Sequence, residues 1–238
     1  MTDTRMMFWD HISELRSRVI KGTVAVLIGA VVAFIFNEEL LDFLLVPFCE
    51  ARPDNCELAF LRPTEAFSVV MRIALFGGLV LASPVLIYQL WRFVAPALTK
   101  RERRYVIPGS IVLAALFFAG VSLGYWSLQR GLGFLFDFGG GNLEPVITAD
   151  AYVNFAVRFV LAFGIAFEFP VFMFAAAAVG AVTTDRLRSG RRWAVVIILV
   201  AAAFLTPSGD PLTLLLLSAP LYLLYEITIL LIRWILKK

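Results

Sequence analysis

The sequence predicts an all-α integral membrane protein, and three observations lead to this fold class. Hydrophobic residues make up 61% of the 238 positions, charged residues make up 16%, and the mean hydropathy is +0.86. A soluble domain cannot bury so much apolar surface, so lipid must be the solvent for most of the chain. The apolar residues also form long tracts, and lysine and arginine concentrate in alternate connections between them.

The apolar tracts predict six membrane spans. A crossing takes about 20 apolar residues, and the last tract, 193–234, is interrupted by Pro-Ser-Gly-Asp-Pro, which favours a turn and cannot continue a helix. The fifth span has about 14 residues and covers about 21 Å, less than the ~30 Å hydrocarbon core, so it must thin the bilayer or lean on its neighbours. The predicted spans are about 19–36, 67–90, 105–128, 152–179, 193–206 and 212–232.

The distribution of lysine and arginine predicts the orientation. Sixteen of the 21 basic residues lie near the two termini or in the connections 92–104 and 180–192. The alternate connections hold only Arg52, Arg62 and Arg130. The positive-inside rule therefore places both termini in the cytoplasm. With no internal repeat, soluble domain or linker in evidence, residues 1–238 are predicted to form one membrane domain.

The first outer connection, 38–66, is acidic and holds both cysteines of the chain. It carries seven acids against two arginines, and Cys49 and Cys56 lie within it. In an oxidising compartment a disulfide between them would add about 2–3 kcal/mol of local constraint. Two free thiols are the alternative.

The segment before the first span predicts an amphipathic interfacial helix. Phe8, Ile12, Leu15 and Val19 share one helical face. Glu14 precedes Arg18 by four residues, which is the favourable orientation for an ion pair on a helix.

The residue inventory argues against an enzyme, a metal site or a nucleotide site. His11 is the one histidine, and no His/Cys spacing matches a metal site. Glycines 139–141 lack the Lys-Ser/Thr that follows a phosphate-binding loop. An intramembrane protease would need a Ser-His pair or two aspartates within the spans, and neither is present.

Glu168 is the charge that is most costly to place. It lies well inside the fourth span, where it costs about 2.5–3.5 kcal/mol if it faces lipid, and Pro170 should kink the helix beside it. A functional role and internal pairing with Arg72 or Arg158 both remain open, although Arg158 lies about 15 Å away along the helix axis. A proton-coupled secondary transporter that uses Glu168 is the alternative function, and the lack of an inverted repeat argues against it.

Four stretches of the sequence resemble the TatC family, the polytopic core of the twin-arginine protein translocase. They are HISELRSR at 11–18, SPVLIYQLWRFVAPALTKRERR at 83–104, FEFP at 167–170 and FLTPSGD at 204–210. Together they run in the family's order along nearly the whole chain. The resemblance implies a cupped, concave bundle of six helices with short fifth and sixth spans, in the plasma (inner) membrane of a prokaryote.

The same resemblance implies a non-enzymatic function without cofactor or metal. A protein of this kind binds the Arg-Arg signal peptide of folded cargo at its cytoplasmic face. It then recruits single-span partners of the TatA and TatB type, together with other TatC copies, for export driven by the proton-motive force. A nucleic-acid partner is not implied.

The resemblance also assigns roles to residues. Glu14 and Glu102 correspond to the signal-peptide site, and two carboxylates are the matching bidentate acceptors for two guanidinium groups. The other assigned residues are Arg16, Phe93, Pro96 and Leu98 beside that site, Glu168 on the concave face, Thr206 in the partner-docking patch, and Pro47 and Asp210 on the outer face. Ala203 and Leu214 depart from the polar residues expected near Thr206.

Overall fold

The computed structural model describes residues 2–53, 56–94, 106–138, 146–178, 180 and 182–236. These residues form nine α-helices and a final π-helical turn, Ile232–Leu236. The helices are α1 (Thr2–Ile35), α2 (Asn37–Ala51), α3 (Glu65–Val94), α4 (Val106–Phe138), α5 (Ala149–Ala166), α6 (Phe169–Ala178), α7 (Thr184–Ser189), α8 (Arg191–Leu205) and α9 (Pro211–Leu231). The predicted all-α membrane fold is confirmed.

The helix boundaries refine the predicted spans. Five segments of the described chain are long and apolar enough to cross a membrane. The amphipathic segment and the first span form one uninterrupted helix, α1, and α4 continues ten residues beyond the predicted end at 128. The fifth predicted span corresponds to α8, whose 15 residues cover about 22 Å. The count of six spans stays a prediction.

The fourth predicted span, 152–179, is two helices rather than one. α5 ends at Ala166 and α6 begins at Phe169. At the break the N–H of Glu168 donates to the carbonyl of Ile165, 3.1 Å away, in place of the usual partner four residues back. Pro170 has no N–H with which to continue the ladder, which explains the break.

The described chain divides into two compact units. The first comprises the described parts of 1–41 and 70–115, and the second comprises those of 42–69 and 116–238. The single domain predicted for 1–238 stays a prediction.

In the first unit, α1 and α3 pack at a pair of glycines. A Cβ on Gly29 would lie 2.6 Å from the carbonyl oxygen of Gly78, and one on Gly22 would lie 3.0 Å from Leu86. Because lipid is as apolar as a leucine side chain, membrane helices associate by close packing at small residues. These glycines set an antiparallel register for the two helices.

The second unit is built around α5, of which twelve of the 18 residues are buried. Glycines of α4 make room for its aromatic side chains: a Cβ on Gly124 would meet Phe163 at 2.9 Å. The exchange is mutual, since a Cβ on Gly164 of α5 would meet Phe117 at 2.9 Å.

The connection after α2 pairs with the residues before α5. Ala59 and Thr148 form an isolated parallel bridge, through hydrogen bonds from Ala59 N to Ile147 O and from Ala149 N to Ala59 O, both 3.1 Å. Glu65 accepts hydrogen bonds from the backbone N–H of Leu61 at 3.0 Å and of Asp150 at 3.1 Å.

Candidate functional site

Glu14, the first of the two predicted signal-peptide carboxylates, already binds a guanidinium. Its Oε1 accepts hydrogen bonds from Nε of Arg18, at 3.1 Å, and from Nη2 of the same side chain. The Nη1 of Arg18 also donates to Oε1 of Gln89 in α3, at 3.3 Å. The Arg18 side chain is 14% exposed and that of Glu14 is 33% exposed, so the outer member of the pair is the carboxylate. The predicted i,i+4 ion pair is confirmed.

The register of α1 and α3 places Glu14 at the end of α3. Gln89 faces Arg18. Because the two helices are antiparallel, moving four residues back from Arg18 along α1 and four residues forward from Gln89 along α3 brings Glu14 level with Phe93. At the start of α4, a Cβ on Gly109 would lie 2.7 Å from Nε1 of Trp91. The end of α3 and the start of α4 thus lie near the level of Glu14.

Three predicted site residues, Pro96, Leu98 and Glu102, lie outside the described residues. Their roles stay predictions. What the described residues contribute is the position of the two helix ends between which this connection runs.

Arg16 lies on a different face of α1 from the Glu14–Arg18 pair. It lines a shallow, open cavity of about 570 Å³. The other described lining residues are Ile12, Ser13, Ser17, Ile20 and Lys21. Apolar, hydroxyl and basic groups alternate there, so the exposed side of α1 offers an apolar surface bordered by positive charge.

Glu168 occupies the break between α5 and α6. It is 9% exposed, and neither carboxylate oxygen forms a hydrogen bond with any described residue. The structure therefore does not show the pairing with Arg72 or Arg158 that the sequence left open. An unpartnered carboxyl group inside a membrane helix is costly and is the usual mark of a functional position.

The turn between α8 and α9 is closed by its own side chains. The buried hydroxyl of Thr206 donates to the carbonyl of Ala202 at 2.9 Å. This contact is internal, so the docking of a partner at Thr206 stays a prediction. Gly209, at φ +61°, supplies the left-handed residue of the turn.

Asp210 caps the N-terminus of α9. Its Oδ1 accepts from the N–H of Thr213 at 2.9 Å, and its Oδ2 accepts from the hydroxyls of Ser208 and Thr213, each at 2.6 Å. Partial burial by itself would raise the pKa of Asp210, but these hydrogen bonds outweigh it and hold the pKa below its usual value.

Pro47 and the two cysteines lie in the second unit, in α2 and the connection that follows it. Cys49 and Cys56 are joined in a disulfide, with Cα atoms 4.8 Å apart. Pro47 is buried inside α2 and has no N–H for the carbonyl of Phe43. The hydroxyl of Tyr125 donates to that carbonyl instead, at 2.7 Å.

Sequence reasoning missed Gln89, Tyr125 and Glu65 as partners in these clusters. A signal existed for Glu65, since it follows Pro63 and Thr64 and directly precedes an apolar tract, as helix N-termini do. Gln89 and Tyr125 gave none, because their partners are 71 and 82 residues away in the chain. Among the described residues no group of three or more His, Cys, Asp or Glu side chains could hold a metal ion.

Comparison with known proteins gives the family. Residues 10–220 match the family model described as Sec-independent protein translocase protein (TatC). The chain is 34% identical to the TatC protein of Carboxydothermus hydrogenoformans, over 100% of this chain and 97% of the relative. It is 38% identical to that of Aquifex aeolicus, over 94% and 93%.

Solved structures agree with the sequence relatives. A crystal structure of the twin arginine translocase receptor TatC matches with a TM-score of 0.79 and 38% identity, over 94% of this chain and 98% of that one. The family is a translocase family and not an enzyme family, which also disfavours the small proton-coupled transporter. The chain is a multi-pass membrane protein that belongs to the TatC family, the receptor subunit of the Sec-independent protein translocase.

Proposed function

We propose that this protein binds the twin-arginine signal peptide of folded cargo at a cytoplasmic surface made by Glu14 and the connection 95–105. It then recruits TatA- and TatB-type single-span proteins and other TatC copies for export driven by the proton-motive force. In this proposal the protein resides in the plasma (inner) membrane of a prokaryote with both termini in the cytoplasm.

The observation that carries the proposal is the contact between Glu14 and Arg18. In this contact the Glu14 carboxylate accepts hydrogen bonds from the guanidinium of Arg18, which supports a role as an arginine acceptor. Arg18 itself is held from the other side by Gln89. A carboxylate in this setting suits an arginine of the ligand, because bidentate guanidinium pairing combines charge with fixed geometry, whereas a lysine ammonium offers only a point charge.

The position of Glu14 also supports the inclusion of Glu102 in the proposed site. The end of α3 and the start of α4 lie near the level of Glu14, and Glu102 belongs to the connection between these two helices. Two arginines of the ligand would then meet two carboxylates, one on α1 and one on the connection.

The test measures binding of an Arg-Arg signal peptide and its Lys-Lys version to the detergent-purified protein. We expect the Lys-Lys version to bind more weakly. Glu14→Gln should weaken Arg-Arg binding about 10- to 100-fold, because a charge-assisted pair is replaced by a neutral one, and Glu102→Gln should do the same.

Asp185→Asn is the matched control, since Asp185 is an exposed acid in the first turn of α7. It should leave binding unchanged. Undiminished Arg-Arg binding in both glutamate variants would show that the site lies elsewhere.

Partner recruitment has support in the exposure of α8. Only Ile198 and Ala202 of this helix are buried, and Phe204 is 88% exposed. In the proposal, this apolar face receives a partner's single helix beside Thr206. A photo-crosslinker at Phe204 should capture TatA- or TatB-type proteins. The same group at Leu223, an exposed residue of α9, should not.

A further inference from the structure

A groove between α4 and α9 combines an apolar lining with an adjacent guanidinium and a hydroxyl that has no hydrogen-bond partner in the described chain, and the protein-transport role does not explain this combination. It lies in the second unit, has a volume of about 270 Å³, and follows one face of α9 from Leu212 to Pro220. That stretch is about 12 Å long. Trp126 and Ser127 of α4 form the opposite wall.

Ser127 supplies the one hydroxyl group among the groove's described lining residues, and this hydroxyl has no hydrogen-bond partner among the described residues. Ser127 is 1% exposed, and its oxygen forms no hydrogen bond with any described residue. A serine within a helix ordinarily donates to the carbonyl four residues earlier, and Ser127 does not. Leaving such a group unpartnered is costly, and Ser127 belongs to the lining of the groove.

A positive charge stands at the edge of the groove. The guanidinium carbon of Arg130 lies 3.5 Å from the centroid of the Trp126 ring, and its Nη1 donates to the Trp126 carbonyl at 3.3 Å. Arg130 forms no ion pair with any described residue. The carboxylate of Asp210, at the start of α9, accepts three hydrogen bonds from Ser208 and Thr213.

These features lie at the predicted ends of two spans, 105–128 and 212–232. Ser127 lies near the predicted end of its span, and Leu212 is the second residue of α9. Tryptophan concentrates at membrane–water boundaries, and a long arginine side chain near a span end can extend to such a boundary. From the predicted membrane boundary towards the membrane interior, the groove therefore presents the guanidinium of Arg130, the hydroxyl of Ser127 and an apolar channel along α9.

We propose that the groove between α4 and α9 is a binding site for a phospholipid with an anionic headgroup. The phosphate lies against Arg130, an ester carbonyl accepts a hydrogen bond from Ser127, and one acyl chain follows Leu212, Leu215 and Leu216. A lipid suits this groove better than a partner helix does, because a guanidinium and a hydroxyl donor match a phosphate and an ester carbonyl.

The test is native mass spectrometry of the purified protein after exchange into detergent with equal amounts of phosphatidylglycerol and phosphatidylcholine of the same acyl chains. We expect the wild-type protein to retain one phosphatidylglycerol in preference to phosphatidylcholine. Arg130→Gln should reduce this preference about fivefold, whereas Arg130→Lys should keep most of it. Ala219→Leu, which fills the groove, should lower retention of both lipids.

Arg62→Gln is the matched control, because Arg62 is an exposed arginine outside the groove. It should behave like the wild type. Equal retention of the two lipids by the wild type would overturn the proposal, as would an Arg130→Gln variant with unchanged preference. A photo-crosslinker at Leu216 that captures a protein instead of lipid would also overturn it. Arg130→Gln changes no buried side chain, so the test stands even if Ala219→Leu does not fold.

Discussion

Three carboxylates of this protein have different surroundings, and the surroundings decide what each can do. Glu14 shares an oxygen with Arg18 and stays one-third exposed, so a second guanidinium can approach it. Asp210 accepts three hydrogen bonds and serves as a helix cap. Glu168 is buried with no hydrogen-bond partner among the described residues. The same functional group thus forms an ion pair at Glu14, caps a helix at Asp210 and is buried without a hydrogen-bond partner among the described residues at Glu168.

The lowered pKa of Asp210 makes the protein's stability depend on pH. A carboxyl group whose pKa is lowered by folding stabilises the protein above its unfolded pKa, and the contribution is lost as the pH falls through the lower folded value. We expect the melting temperature in detergent to fall as the pH decreases from about 5 towards 3. Asp210→Asn should melt about 2–4 °C lower at pH 7 and show a weaker pH dependence in this window. Asp185→Asn, at an exposed acid, should keep the wild-type slope; an Asp210→Asn variant that keeps it too would contradict the assignment.

Glu168 should lower the stability of the native protein. An unpartnered buried polar group costs about 1–3 kcal/mol, so we expect Glu168→Leu to raise the melting temperature by at least 2 °C or so. Glu226→Leu is the control. Glu226 accepts hydrogen bonds from Arg191 at 2.7 Å and Tyr222 at 3.1 Å, so this substitution should destabilise the protein.

The same Glu168→Leu variant should export less cargo despite its higher stability, measured with a folded reporter that carries an Arg-Arg signal. Wild-type export would show that Glu168 has no functional role.

At the scale of helices, two features of the sequence make sense only in pairs. Pro47 interrupts the hydrogen-bond ladder of α2, and Tyr125 of α4 repairs it. Gly78 of α3 lets α1 approach closely, because Gly29 stands opposite. In each case one residue creates a requirement that a residue of another helix meets.

The pair of Pro47 and Tyr125 predicts a non-additive double mutant. Tyr125→Phe leaves the carbonyl of Phe43 without a donor and should cost about 1–3 kcal/mol. In a Pro47→Ala background the backbone N–H of residue 47 can bond to that carbonyl, so Tyr125→Phe should cost much less. Thermal unfolding of the four proteins measures the coupling. Equal costs in the two backgrounds would mean that Tyr125 acts through packing alone.

The crossing of α1 and α3 predicts a size limit at Gly78. A Cβ at this position would collide with the backbone of Ala30 in α1, so Gly78→Ala should destabilise the protein by about 1–3 kcal/mol. Gly133 of α4 is the control: nothing lies within 4 Å of its added Cβ, and Gly133→Ala should be neutral or slightly stabilising. If both variants melt at the wild-type temperature, the two helices do not depend on this contact.

At the scale of the whole molecule, the short helix α8 decides the topology. Five segments are long enough to cross by length and composition, and α8 is shorter than these. Its ends are marked by arginines at 191 and 192 and by the turn that contains Gly209. If α8 crosses, the residues before and after it lie on opposite sides of the membrane.

Single cysteines at Ser189 and Pro207 test this crossing in intact cells, since the native cysteines are joined to each other. With six spans and cytoplasmic termini, a membrane-impermeant maleimide should label Pro207→Cys from outside. It should label Ser189→Cys only after the membrane is opened. Labelling of both positions from the same side would show that α8 does not cross.

The sequence by itself determined the class of the protein, the approximate location of its long apolar helices and the distribution of lysine and arginine among its connections. These properties depend on local composition: apolar length, prolines such as Pro211, and the count of lysines and arginines. The sequence did not predict α2 or α7, and it predicted a kink rather than the break between α5 and α6. The residues proposed to bind a signal peptide were found by resemblance, and chemistry explained why carboxylates suit arginines.

Only the tertiary structure decided which distant residues meet. It paired Arg18 with Gln89 and Tyr125 with the carbonyl of Phe43, and it left Glu168 and Ser127 without hydrogen-bond partners among the described residues. The physical reason is that helix packing in lipid is set by side-chain fit across helices distant in sequence. No periodicity within one helix encodes that fit.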